Sequence, residues 1–180
     1  MNPHPQRRYH EGRVPALPPN VISVARAGKA VYARAQGLGN FSNALMFEEF
    51  CEAELQQGAE CFVIDLAECT GMDSTFMGVM AGLSTHFPPG RSAIVILNAS
   101  PKNRQLLDDL GLSALVSVRS KPDTIPELEM QPLASDALPA RERAERIRRA
   151  HQQLVDADSR NAAKFGPVLK LLQKELDASK

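Results

Sequence analysis

The sequence predicts an α/β fold, a mixed β-sheet with helices mainly on one face, followed by a C-terminal helical extension. Three observations carry this expectation. Short apolar, β-branched runs such as Phe62-Val63-Ile64 and Ala93 to Leu97 alternate with longer segments of 3.6-residue periodicity, as strands alternate with covering helices. The first two runs are joined only by Gly28-Lys29, a loop with hairpin chemistry, so those strands pair antiparallel and the sheet cannot be purely parallel. Finally, a proline-containing stretch separates this body from a last segment whose periodicity is helical throughout. The expected divisions are a disordered Pro-rich tail over residues 1–20, a domain over 21–118, a tether over 119–139 and a helical extension over 140–178.

Residues 1–20 hold five of the thirteen prolines, interleaved with Arg7, Arg8 and Arg13, and offer no apolar face to bury. Val21 to Ala27 and Ala30 to Gln36 then alternate apolar and polar residues, each strand with one buried face. Gly37 to Asn40 turns the chain. Asn40 or Ser42 caps a helix carrying Ala44, Phe47, Cys51 and Leu55 on one stripe, opposite Glu48, Glu49 and Glu52, and ending at Gly58.

Phe62 to Leu66 is a near-continuous apolar run, expected of a strand covered on both faces. Glu68 to Met72 reads as a loop. Asp73, Ser74 and Thr75 follow, with side-chain oxygens suited to the free N–H groups of a helix start. The helix carries Phe76, Val79 or Met80, Leu83 and Phe87 at helical spacing, with small Gly78, Ala81 and Gly82 for close packing, and Pro88-Pro89-Gly90 stops it. After the Ala93 to Leu97 strand, Ser100 caps a helix with Pro101 at its first position, closed by Gly111, and Leu115 to Val118 is a last short strand.

Pro122, Pro126, Pro132 and Pro139 mark the tether, with a short helix expected around Glu127. Beyond it, Ala144, Ile147, Ala150 or His151, and Leu154 share a stripe, and Glu142–Arg146 and Glu145–Arg149 stand at i, i+4 in the favourable order. The arginines from 141 to 149 read as a solvated face and His151 as a packed or solvent-edge histidine. Phe165, Leu169, Leu172 and Leu176 give a final helix in which Gly166-Pro167 either kinks the chain or starts a new helix. Two such helices must bury their stripes, either docked on the domain or zipped with a second chain as a homodimer.

Composition narrows the function. The 180 residues hold 21 basic and 21 acidic side chains, so no bulk field recruits nucleic acid or a membrane surface. No apolar run of about 18 residues and no signal-peptide core is visible, which leads to an expectation of a cytoplasmic protein. Cys51, Cys61 and Cys69 lack paired-ligand spacing, so neither a disulfide framework nor a zinc site is expected, and no metal or other cofactor.

The strand ending in Asp65, a few polar residues, and Asp73-Ser74-Thr75 opening a glycine-containing helix resemble the STAS domain, the fold of the anti-sigma factor antagonist (anti-anti-sigma factor) family. The resemblance runs from about Val21 to Val118. It implies a protein that binds an anti-sigma factor acting also as a serine kinase, and so frees a sigma factor. It further implies Ser74 as the phosphoacceptor, with Asp73, Thr75, Asn40 and Phe41 on the partner surface. The family's small residues after the seryl pair are replaced here by Phe76-Met77-Gly78, which sets Phe76 at the mouth of the site. A helix start suits a phosphate, because its N–H groups are unpaired and the macrodipole is positive there.

Other classes fare worse. Ser74 has no histidine near it in sequence, and no phosphate-cradling glycine loop or zinc-protease motif is present, so no enzyme is expected. An aspartyl-phosphate receiver would need an acidic pair for magnesium, which the first strands lack. Within the resemblance, the alternative is a scaffold or sensor module of a signalling complex, in which Ser74 only caps a helix.

Overall fold

The computed structural model describes residues 20–88, 91, 93–134 and 138–178. The Pro-rich tail, Asn20 excepted, lies outside the described residues, as do Pro89 and Gly90. Seven strands form the sheet: β1 (Val21–Ala27), β2 (Ala30–Gly39), β3 (Cys61–Asp65), β4 (Cys69–Met72), β5 (Ile94–Leu97), β6 (Ser117–Val118) and β7 (Gln131–Pro132). Their order is β6-β5-β3-β2-β1-β7, with β4 paired to β2. β1 pairs antiparallel with β2 through the Gly28-Lys29 turn, and β2, β3, β5 and β6 are parallel, the mixed sheet the sequence predicts. The helices are α1 (Phe41–Gln56), α2 (Ser74–Ser84), α3 (Pro101–Asp109), α4 (Ala140–Ala157) and α5 (Asn161–Ala178).

Register explains the core. Ile22 lies opposite Ala35 and Val24 opposite Ala33, Val31 and Ala33 beside Phe62 and Ile64, and those beside Ile94 and Ile96, so one sheet face carries only apolar residues. Phe47, Met80, Leu107 and Leu112 complete the buried cluster. Val63 and Val95 on the opposite face are only half-buried, so the near-continuous run in β3 is not covered equally on both sides as expected. The other face lacks a full second layer of helices, and alternation rather than apolar content decides which residues are sealed.

Several elements depart from the expected ones. β2 runs three residues past Gln36, shifting register at Gly37, whose φ of 73° is left-handed and suits glycine. Its last residues, Gly37–Gly39, pair with Cys69, Gly71 and Met72, so the stretch read as a loop is strand β4. The start of α3 secures it: Asn103 Nδ2 donates to the Cys69 carbonyl and Lys102 Nζ to that of Thr70. α2 stops at Ser84, short of Phe87, where the Ser84 and Thr85 hydroxyls donate back to the Ala81 and Gly82 carbonyls.

The tether forms no helix around Glu127. Its chain is irregular there, with a bend at Glu127, and then adds β7 to the edge of β1, pairing Ser23 with Pro132 and Val24 with Gln131. Pro132 is tolerated because β7 is an outer strand. α5 passes through Pro167 without starting anew, its packing on α4 outweighing the one hydrogen bond proline cannot donate.

The C-terminal helices dock on the domain of their own chain. Ala150 and Leu154 of α4 join the same buried cluster as the sheet and α2, and Phe165 of α5 packs against it. Gly78 of α2 faces the Ala150 backbone so closely that a Cβ there would overlap the Ala150 carbonyl. Asn161, at the start of α5, is buried and its Nδ2 donates to the carbonyls of Leu110 and Leu154, tying the hairpin to the end of α3. The arginines of α4 are not merely solvated. Arg146 keeps the predicted pair with Glu142 at 2.7 Å, but Arg149 turns from Glu145 to Glu48 at 3.1 Å and Glu52 at 3.4 Å on α1, and Glu145 pairs with Arg141.

Candidate functional site

The site forms where β2 and β4 end side by side and α1 and α2 begin. Asn40 caps α1, accepting from the Ser42 and Asn43 backbone N–H groups, while Asn43 Oδ1 accepts from the Asn40 N–H at 2.9 Å, a reciprocal capping box. Asp73 caps α2 through Oδ1, which accepts from the Phe76 N–H at 2.8 Å. Its second oxygen, Oδ2, accepts from the Phe41 N–H at 2.7 Å. One carboxylate therefore joins the N-terminal ends of both helices, where two positive dipole ends converge. Such a point holds an anion well, and Ser74 is the next residue along the chain.

The structure separates the sequence-predicted site residues into two groups. Asp73, Ser74, Asn40 and Phe41 meet at this corner, and Phe41 is 45% exposed. Thr75 and Phe76 do not face outward. Phe76 is 1% exposed, its ring against Gly39 and stacked on Phe47 with centroids 6.2 Å apart, so it is core rather than the mouth of the site. Gly39 makes this possible, since a Cβ there would lie 2.9 Å from the ring. Thr75 is 4% exposed and likewise has no surface to offer a partner.

Two residues at the site escaped sequence reasoning. Leu38, 40% exposed, stands beside Gly71 and adds an apolar side chain near Phe41 at the same end of the sheet. The larger omission is His151. Ser74 Oγ lies 2.9 Å from His151 Nε2, and His151 Nδ1 lies 2.8 Å from the Ile147 carbonyl. A carbonyl only accepts, so Nδ1 carries a hydrogen and Nε2 is the nitrogen that meets the serine hydroxyl. The Ser74 hydroxyl is thus half-buried and covered by α4. Seventy-seven residues separate the two, and no local motif signals the contact.

A serine held by an imidazole with an oriented second nitrogen has the outline of an activated nucleophile. Here the imidazole is itself buried, its other neighbour being the Phe165 ring at 5.2 Å, so protein occupies the side of Oγ from which a base would work on a substrate. A cavity of about 310 Å³ between α1, α2 and α4 is lined by Glu48, Cys51, Leu83, His86, Arg149 and Gln153, and Ser74 does not line it. Burial raises the Glu48 carboxyl above its ordinary value, with Arg149 pulling the other way, and burial drives the Cys51 thiol well above the usual thiol range, leaving it unreactive. Among the described residues, no cluster of three or more His, Cys, Asp or Glu is arranged to hold a metal ion, and no helix is long and apolar enough to cross a membrane.

Comparison with known proteins places this corner in context. The model of the STAS domain matches residues 22–125. In three dimensions the chain is similar to the Thermotoga maritima protein TM1081, at 20% identity over 59% of this chain and 89% of that one, with a TM-score of 0.50. It is also similar to the anti-sigma factor antagonist SpoIIAA in its unphosphorylated form, at 18% identity over 56% of this chain and 89% of that one, with a TM-score of 0.49. The Bacillus cell fate determinant SpoIIAA in the phosphorylated form gives 18% identity over 56% and 92%, with a TM-score of 0.46. Among curated proteins, no sequence matches this chain.

Proposed function

Because the chain belongs to the STAS domain family, we propose that it is a phosphorylation-regulated anti-sigma factor antagonist. With Ser74 free it binds an anti-sigma factor that is also a serine kinase, and a sigma factor is released. Phosphorylation of Ser74 ends that binding. The observation that carries this reading is the placement of Ser74 directly after Asp73, whose carboxylate caps α2 and receives the first N–H of α1. The added charge of about −1.5 to −2 meets two helix N-termini there, so α2 keeps its structure and the change is felt at the docking surface. Asp73, Asn40 and Phe41 belong to that surface in this reading, with Leu38 beside them. Partner recognition uses this corner rather than nucleic acid or membrane, and the protein acts in the cytoplasm without a cofactor or a reaction of its own.

The step consumes a nucleoside triphosphate on the partner. The bond between Ser74 Oγ and the γ-phosphorus forms as the bond to the β–γ bridging oxygen breaks, the diphosphate leaves, and the hydroxyl proton passes to the kinase. The test is intact mass with fragment assignment on protein recovered from its native cells. A population heavier by one phosphate on the Cys61 to Arg91 fragment is expected. Its absence under every growth condition sampled removes the switch.

One observation favours a second reading, a scaffold or sensor module without a phosphoswitch: the Ser74 hydroxyl is already engaged by His151. In that case Ser74 serves only the α2–α4 contact, and the mass measurement finds a single unmodified species.

A further inference from the structure

We propose that α4 is a displaceable cover on the Ser74 face, so that docking of α4 and phosphorylation of Ser74 exclude one another. The inference rests on Ser74 being the phosphoacceptor and adds a regulator of that site from within the same chain. Three separate observations meet there. The first is the Ser74–His151 hydrogen bond, which takes the direction from which a phosphoryl donor would approach Oγ. The imidazole cannot simply swing aside, because Nδ1 is bonded to the Ile147 carbonyl of its own helix and the ring lies edge-on to Phe165.

The second is the seat. Gly78, one turn along α2 from Ser74, lets the α4 backbone at Ala150 come into direct contact, so the cover is positioned by main chain and not by adaptable side chains. The third is the make-up of the contact that holds α4. Of its eighteen residues only Ala144, Ala150, His151 and Leu154 are buried, and one of these is polar and two are alanines. Its ion pairs to α1, Arg146 with Glu49 and Arg149 with Glu48 and Glu52, each include a substantially exposed side chain, and such pairs contribute little and weaken with salt. A helix so fixed can leave without unfolding the sheet, whose buried cluster takes only Ala150 and Leu154 from α4.

The chemistry then sets the exclusion. When Ser74 Oγ bonds to the γ-phosphorus of the kinase-bound nucleoside triphosphate, and the nucleoside diphosphate leaves with the hydroxyl proton passed to the kinase, three further oxygens are added at an atom that now lies 2.9 Å from His151 Nε2. The kinase must also reach Oγ beforehand. Both demands are met by release of α4.

The experiment uses the full chain with phosphoserine incorporated at position 74 during translation, and amide hydrogen exchange resolved by mass spectrometry. Exchange of α4 amides is expected to quicken by about tenfold or more relative to the unmodified chain, while β3 and β5 stay protected. Gly78→Ala should open α4 without any phosphate, since alanine is the better helix former within α2 and the obstruction falls on α4 alone. Gly82→Ala, whose Cβ meets only the flexible Gln153 side chain at 3.3 Å, should leave α4 protected. Equal protection of α4 in the phosphorylated and unmodified chains, as an imidazolium–phosphate pair would produce, overturns the inference; so does an undisturbed α4 in Gly78→Ala. Release of α4 by phosphoserine in a protein that carries no phosphate in its native cells leaves the cover standing and removes only the switch.

Discussion

Phe76 turns away from solvent because Gly39 leaves room for its ring, and that one pairing changes what the site presents. By sequence it opens the apolar stripe of a helix but also stands beside three polar residues, where the family resemblance sets it at the mouth of the site. Its burial depends on a residue thirty-seven positions earlier, at the end of a strand whose last three residues sequence reasoning did not assign. Phe76→Ala is therefore expected to cost about 3–5 kcal/mol, the range for truncating a buried aromatic, measured as a lowered urea midpoint. A surface ring would cost far less. Asp73, in contrast, was legible, since a cap acts on the residues immediately after it and its companion Oδ2 contact merely adds to a role already fixed locally. His151 was not legible, because nothing within one turn of α4 distinguishes a histidine that packs from one that receives a serine.

At the scale of elements, the strands and helices with strong local signals appeared where expected, and those that depend on a partner did not. β4 has two non-apolar residues among its four, Thr70 and Gly71, and exists because the shifted end of β2 offers it a ladder. β7 is two residues long and is a strand only by lying against β1. α5 is secured at its start by Asn161, which satisfies the carbonyls closing α3 and α4. Asn161→Ala leaves both without that donor in a buried setting, so a loss of about 1–3 kcal/mol is expected in urea unfolding, with faster amide exchange along α5 before the sheet opens. An unchanged exchange pattern would mean that apolar packing alone holds the hairpin.

Across the whole molecule, the contact between the domain and its extension is both apolar and charged, and its charged part responds to pH. Burial of Glu48 against α4 raises its carboxyl above the ordinary 4.5, so in the window just above 4.5 the folded chain holds a proton that the unfolded chain has lost. With fewer protons bound in the unfolded state, stability falls as pH rises through that window, and Glu48 contributes a negative slope. Glu48→Gln removes this group's contribution. The stability of the variant relative to the parent should thus increase with pH from about 4.5 upward before levelling, as read from paired urea titrations; a flat difference would place Glu48 in water rather than at the helix interface. Glu60, exposed and held below its ordinary range first by its hydrogen bond to Lys29, acts with the opposite sign and is present in both chains, so it cancels from the difference.

The order of apolar runs, the Gly28-Lys29 turn, the caps at Asp73 and Ser100 and the helical stripes of residues 140–178 together determined the mixed sheet, its covering helices and an added helical segment. All of these rest on interactions spanning a few residues. Tertiary structure alone decided that Phe76 packs against Gly39 and Phe47 instead of standing at the mouth of the site, that Cys69–Met72 is a strand, that α4 closes over α2 and that Ser74 meets His151. Each of those outcomes depends on which surfaces come to touch, and local periodicity describes a face without specifying what will cover it.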